Sequence, residues 1–148
     1  AQIGIAGEDV IKEFNYSEVC APLDLNIGHC KISVAAVKSL IKKENPDTWS
    51  NIRVATKYPN ITKKFFAAKG IQTEIIKLSG SMELAPSLNM CRRIVDLVST
   101  GQTLKVNGLI EVEEIMKIQS KLIINRSAYK TEMLKIKKII SEFEKVIE

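Results

Sequence analysis

The chain has 148 residues, 45% apolar, 26% charged and 5% aromatic, a globular composition that excludes intrinsic disorder and suits one ordinary domain or two small ones. Three cysteines without CxxC spacing (Cys20, Cys30, Cys91) and a single histidine, His29, exclude a disulfide scaffold and a self-contained zinc site, and no apolar run approaches the roughly 20 residues of a membrane span. A balance of 22 basic to 17 acidic residues gives +5, which suits an anionic ligand such as a nucleotide or sugar phosphate in a soluble, cytoplasmic protein.

The opening Ala1-Gln2-Ile3-Gly4-Ile5-Ala6-Gly7 reads as a strand ending in a glycine turn. A terminus inside a core strand is costly to bury, so further residues are expected before Ala1. Glu8 and Asp9 can cap a helix running to about 13, with Val10, Ile11 and Phe14 on its apolar face. Pro22 breaks the mixed segment 16–25, and 30–36 alternates as a strand does. Residues 37–51 hold Lys42, Lys43, Glu44, Asn45, Pro46 and Asp47 and predict a surface connector. Strands follow at 52–56 and 72–78, with a helix over 61–69 closed by Gly70 between them. A helix is expected over 82–89, then a strand at 93–98 whose apolar run predicts burial on both faces. A short helix ends near Gly108, strands are expected at 109–118 and 121–125, and apolar residues at 133, 136, 140, 143 and 147 give a C-terminal helix.

Strands alternating with helices predict an α/β architecture with mainly parallel sheets. Two lobes with a cleft between them fit the order: 1–36 in a first α/β lobe, 37–51 as connector, 52–118 as second lobe, and 119–148 returning to the first.

The stretch richest in chemistry is Ile94-Val95-Asp96-Leu97-Val98-Ser99-Thr100-Gly101-Gln102-Thr103-Leu104. A buried strand that ends in small hydroxylated residues and enters a helix at once exposes backbone N–H groups backed by the helix dipole. Gly101 lets an anion approach the backbone, Ser99, Thr100 and Thr103 can donate hydroxyl bonds, and Asp96 can accept from ribose hydroxyls. Acid-then-TGxT loops of this kind bind phosphoribosyl diphosphate; the plainer reading is a helix cap beside a solvated acid. Neither GxxxxGK[ST] nor GxGxxG is present.

Around that turn the chain resembles the ATP phosphoribosyltransferase family. The resemblance rests on Arg53-Val54-Ala55-Thr56-Lys57-Tyr58-Pro59, on Gly80-Ser81-Met82-Glu83-Leu84-Ala85-Pro86, on the run Asp96 to Leu104 and on Asn107-Gly108-Leu109. Ile3-Gly4-Ile5-Ala6-Gly7-Glu8-Asp9 and Leu122-Ile123-Ile124-Asn125-Arg126 fall where the family has similar strings. It implies a two-lobed fold like that of periplasmic binding proteins. It also implies transfer of a phosphoribosyl group from phosphoribosyl diphosphate to N1 of ATP, with Mg²⁺, giving phosphoribosyl-ATP and diphosphate, the first step of histidine biosynthesis. On that pattern Asp96, Ser99, Thr100, Gly101, Gln102 and Thr103 hold phosphoribosyl diphosphate. Lys57 and Tyr58 face ATP or diphosphate, or are surface residues at a Pro turn; Glu83 orients a substrate group or caps its helix; Asp9 closes on ligand from the first lobe or caps its own. No catalytic base is assigned.

The chain departs from the family at Asn89, Cys91 and Arg92, where a Gly, a small residue and often an Asp are usual. Arg92-Arg93 adds positive charge near the expected cleft. The family's initial strand and helix with a basic segment have no counterpart before Ala1, and no regulatory domain follows Glu148. The chain therefore resembles the short form, which implies a homo-oligomer and a separate regulatory subunit resembling histidyl-tRNA synthetase. Two alternatives stand beside this: a two-lobed small-anion or solute binding module without catalysis, and nucleic-acid binding through the basic surplus after 117. Solvated helix faces carry the same surplus, so nucleic acid is not the expected partner.

Overall fold

The computed structural model describes residues 1–147. In chain order its elements are β1 (Ile3–Gly7), α1 (Glu8–Phe14), β2 (Val19–Asp24), β3 (Cys30–Val37), α2 (Lys38–Ile41), β4 (Asn51–Thr56), α3 (Pro59–Ala68) and β5 (Gln72–Lys77). They continue with β6 (Arg93–Val98), α4 (Gln102–Val106), β7 (Leu109–Ile118), β8 (Ser120–Asn125), α5 (Arg126–Thr131) and α6 (Met133–Glu144). Two compact units result: Ala1–His29 with the chain from Ile118 onward, and Cys30–Lys117. None of the described helices is long and apolar enough to cross a membrane.

The first unit is built on a three-stranded sheet in the order β1-β8-β2, with β8 antiparallel to both neighbours. Leu122 and Ile124 of β8 are each only 1% exposed, which makes the expected return strand the centre of the unit. The β2–β8 register shifts between Cys20 and Leu23. Pro22 falls in that interval, where a residue without an N–H leaves no ladder donor unmet.

Helix α1 reverses the expected face. Asp9 and Glu13, one turn apart, are buried, whereas Val10 and Phe14 are exposed. The helix leaves β1 without an intervening loop, and the Glu8 amide donates to the Gln119 carbonyl at 3.0 Å. Its rotational phase is thus set by the strand exit rather than by its apolar stripe. Phe14 stacks on Tyr16 instead, with ring centroids 5.6 Å apart. Gly7 is the N-cap and no side chain caps the helix; a Cβ at Gly7 would collide with the Asp9 carboxylate. The expected C-terminal helix is α6, and an additional short helix, α5, precedes it and meets it at Glu132, with the Asn125 side chain accepting from the Ser127 and Ala128 amides to start α5. Ile136, Ile140, Phe143 and Ile147 form the inward stripe.

The second unit carries a five-stranded sheet in the order β5-β4-β6-β3-β7. β4 runs parallel to both β5 and β6, and β6 runs antiparallel to β3. Parallel pairing therefore holds through β5-β4-β6, and the sheet as a whole is mixed. The strand expected to close the first lobe, β3, belongs here, because it pairs with β6 from Lys31↔Val98 to Ala36↔Arg93. The boundary consequently falls at residue 29 rather than 36. The 37–51 stretch, with α2 and a 3₁₀ turn at Pro46–Thr48, joins β3 to β4 inside this unit instead of bridging two lobes.

Helix α3 begins with Pro59, whose missing amide hydrogen costs nothing at a first turn. It closes at Gly70 (φ +72°), where the Ile71 amide returns to the Phe66 carbonyl at 2.9 Å. The helix expected over 82–89 is only a 3₁₀ turn at Met82–Leu84. Ser81 and Asn89 stand in left-handed conformations at either end, and Pro86 removes a donor, so regular helix cannot propagate. That turn still supplies core: Met82 and Ala85 pack with Ala35, Ala55, Ile94, Val98, Leu104 and Leu109.

Ile94, 0% exposed at the middle of this cluster, sets a measurable stability. Ile94→Ala is expected to cost about 2–5 kcal/mol in urea unfolding, and a loss below about 1 kcal/mol would show that the site collapses around the deletion.

Candidate functional site

Strand β6 enters the sheet between β4 and β3, and its last residues are sorted by the pleat. Val98 is buried, and Asp96, two residues earlier on the same face, is half-buried at the strand's carboxyl end. The chain then turns through Ser99-Thr100-Gly101 into α4, held inward by Leu104 at 7% exposure. Gly101 is the N-cap with φ +75°, a backbone region costly to any residue with a Cβ. The space in front of it is open, since an added Cβ would meet nothing nearer than Val98 Cγ1 at 4.0 Å. Within the turn the Gln102 amide donates to Thr100 Oγ1 at 3.4 Å, and the Lys105 amide reaches the Gly101 carbonyl at 3.2 Å.

A cavity of about 250 Å³ lies against this turn. Asp96, Ser99, Thr100, Gly101 and Thr103 line it, Glu83 comes from the 3₁₀ turn, and Leu97, Val98 and Leu104 give it an apolar side. Burial pushes the Asp96 carboxyl above its ordinary value. The Leu97 amide, donating to Asp96 Oδ1 at 2.8 Å, pulls it back; the Glu83 charge raises it further and Lys57 lowers it. Lys57 reaches this neighbourhood because β4 ends beside β6, with Thr56 in parallel register against Val95.

Six of the expected residues are thus brought together: Glu83, Asp96, Ser99, Thr100, Gly101 and Thr103. Gln102 is exposed and does not line the cavity, contributing its amide to the turn instead. Lys57 is exposed, whereas Tyr58 is 2% exposed, so its ring is core and not a surface contact for ligand. The Tyr58 amide donates to Thr56 Oγ1 at 2.9 Å and its carbonyl accepts from Thr62. Those bonds turn the chain into α3 and drive the ring inward. Asp9 lies in the other unit, buried against Gly7. Leu97 was not expected here: it is 40% exposed and lines the cavity, and a continuous apolar run gives no sign of which member faces an opening. Arg92 and Arg93 sit at the opposite end of β6 from the turn.

Among the described residues no group of three His, Cys, Asp or Glu side chains is placed to hold a metal ion. Asp96 and Glu83 are the carboxylates at the cavity. Two such groups suit Mg²⁺, which keeps most of its waters and binds mainly through substrate phosphates.

Known proteins match this chain along nearly its whole length. The family profile described as ATP phosphoribosyltransferase matches residues 1–145. An ATP phosphoribosyltransferase of Rhodospirillum rubrum is 61% identical over 130 residues, covering 88% of this chain and 57% of that protein. One from Rhizorhabdus wittichii is 54% identical over 148 residues, covering the whole of this chain and 67% of its own length. The chain thus spans a little over half to two thirds of these relatives. Among solved structures, the ATP phosphoribosyl transferase (HisG:HisZ) complex from Thermotoga maritima matches with TM-score 0.85 at 33% identity, over 99% of this chain and 70% of that one. The alkanesulfonate-binding protein of Xanthomonas axonopodis pv. citri, bound to MOPS, matches at TM-score 0.62 and 10% identity, over 97% of this chain and 54% of that one. At that identity the likeness is one of fold, of the periplasmic-binding-protein type. With the profile running from the first residue nearly to the last and the Thermotoga backbone followed throughout, this chain belongs to the ATP phosphoribosyltransferase family.

Proposed function

We propose that the chain supplies the phosphoribosyl-diphosphate site of a cytoplasmic enzyme that transfers the phosphoribosyl group to N1 of ATP, releasing diphosphate and opening histidine biosynthesis. The observation that carries this reading is the meeting of Asp96, three hydroxyl side chains and the Gly101 backbone in one cavity. The 5′-phosphate would sit on the 99–103 turn, taking bonds from outward amides and from Ser99, Thr100 and Thr103. Asp96, as carboxylate, would accept from the ribose hydroxyls and fix the sugar for in-line attack. Glu83 would orient a hydroxyl or a hydrated cation across the cavity, and Lys57 would meet the diphosphate or the triphosphate. Mg²⁺, held by the diphosphate with Asp96 or Glu83 facing it, would supply neutralisation of the leaving group. Positive charge develops on the sugar as the anomeric bond breaks, so positioning and charge placement carry the rate and no strong base is required. Full turnover, a homo-oligomer and a regulatory subunit resembling histidyl-tRNA synthetase belong to the same proposal, supported by the likeness to the two-component Thermotoga complex.

Calorimetry with phosphoribosyl diphosphate and Mg²⁺, set against an amino-acid and sulfonate panel, tests the assignment. Binding of the first is expected, and binding of the panel alone would replace the enzyme by a solute-binding module. Gly101→Val should weaken phosphoribosyl diphosphate by about tenfold or more, because a side chain there both strains the backbone and covers the amides. Unchanged affinity in a folded variant would remove the turn from the site.

Asp96 gives a second test in which stability and binding move apart. Its folded pKa stands above the ordinary 3.8, so from that value up to the raised one the native state holds more proton than the unfolded chain. Stability therefore falls as pH rises through this interval, and above it the buried carboxylate bears its full penalty. Asp96→Asn keeps an acceptor for the Leu97 amide and removes the charge. At pH 7 its Tm should equal or exceed that of the parent while ribose-phosphate affinity falls, and a lower Tm with unchanged affinity would contradict both assignments.

A further inference from the structure

Strand β3 runs between β6 and β7, and one of its side chains stands between two carboxylates. Ser33 is paired with Asp96 across the antiparallel β3–β6 ladder, so the two side chains leave the sheet on the same face. Side chains so paired start from Cβ atoms roughly 4.5–5.5 Å apart, a gap that a turn about the Ser33 Cα–Cβ bond can close. From the other side β7 brings Glu111, whose Oε1 accepts from Ser33 Oγ at 3.0 Å. Ser33 is 0% exposed, so bulk water does not compete for its proton.

A hydroxyl has one proton to give, and here two acids flank it. Glu111 receives it. Lys31 donates to the same Oε1, and its hydrogen bond, followed by that of Ser33, holds the Glu111 carboxyl below its ordinary value against the opposing effect of burial. Glu114 is a further acid near Lys31. Asp96, across the strand, takes the Leu97 amide on Oδ1 at 2.8 Å and has Glu83 and Lys57 as its charged neighbours. A carboxylate draws a hydroxyl proton more strongly than a neutral acceptor does, so the charge kept on Glu111 decides which acid the serine serves.

We propose that Glu111 is a positioning residue: by holding the Ser33 proton it keeps that inner donor off Asp96 and leaves the carboxylate's remaining lone pairs to the ribose hydroxyls. The inference rests on the phosphoribosyl reading and adds to it a control that lies outside the cavity, since neither Ser33 nor Glu111 lines it. With a neutral side chain at 111 the balance reverses. The Ser33 oxygen then turns toward Asp96, donates to it and fills a place that a ribose hydroxyl needs.

Glu111→Gln keeps the shape of the side chain and removes its charge. Its affinity for ribose 5-phosphate, read by calorimetry, should fall about fivefold or more, and adding Ser33→Ala should restore it by about the same factor. Both variants leave Lys31 without its charged partner, so the Ser33 hydroxyl alone separates them, and damage at position 111 would not be repaired by a second deletion. Inorganic phosphate, which meets the turn and brings no ribose to Asp96, should bind the single and double variants alike. Without any ligand, the Leu97 amide resonance should move in Glu111→Gln, as its acceptor gains a second donor, and return in the double variant. Ser33→Cys, a weak donor of similar shape, stands in where Ser33→Ala does not fold. Absence of rescue in a folded double variant, an unmoved Leu97 resonance, or an equal rescue of inorganic phosphate would overturn the role of Glu111 while leaving the phosphoribosyl site intact. A parent that does not bind ribose 5-phosphate would overturn the phosphoribosyl reading and this role with it.

Discussion

The register of β6 is the constraint on which the second unit depends. The strand has a parallel neighbour on one side and an antiparallel one on the other, with Thr56 against Val95 and Ser33 against Asp96. Ile94 and Val98 are buried in that register, and burying side chains of this size is worth about 1.5–3 kcal/mol each. A slip of one residue would turn Ile94, Asp96 and Val98 together to the other face and put Val95 and Leu97 in their places, so the burial of Ile94 and Val98 holds Asp96 in its register. Asp96 is placed by that energy and not by any bond of its own carboxylate to a cation. Lys57 is placed by the same register, because it follows the strand that ends alongside.

Rigid placement carries a cost at the turn. Asp96 is half-buried beside Glu83, which raises its pKa, and Gly101 occupies a left-handed conformation in front of open space. Neither feature stabilises the fold. Ile94, Val98 and Leu104 pack immediately behind them, and the packed strand offsets what the turn costs. Binding groups on a strained turn carried by a well-buried strand are a common division of labour in α/β proteins.

What could be read from the sequence follows from how local each feature is. The β6–turn–α4 unit was legible because an apolar run, three small residues and a short amphipathic segment are contiguous. The membership of β3 was not, since it is decided by pairing with a strand far along the chain, and its alternation suits either sheet. The face of α1 was misread because its phase is set by the exit from β1, which outweighs a stripe of Val10, Ile11 and Phe14. The 82–89 segment looks helical in composition, yet Pro86 and the left-handed Ser81 and Asn89 confine it to one 3₁₀ turn. Tyr58 follows the same logic: beside an exposed lysine it reads as surface, but the bonds that start α3 rotate it into the core. Of the candidate site, the cavity-lining residues were those adjacent in sequence, together with Glu83, whose place rests on the family resemblance.

The charge that lines the carboxyl end of β6 bears on what that end can hold. At the carboxyl end the lining contains Asp96 and Glu83 and no cation, with Lys57 acting from outside the lining. A phosphate entering there meets two carboxylates, so its attraction must come from backbone amides, hydroxyl donors, the dipoles of the turn, Lys57 and whatever cation the ligand itself brings. Such a site discriminates by shape and hydrogen bonding, because charge alone would turn a bare anion away.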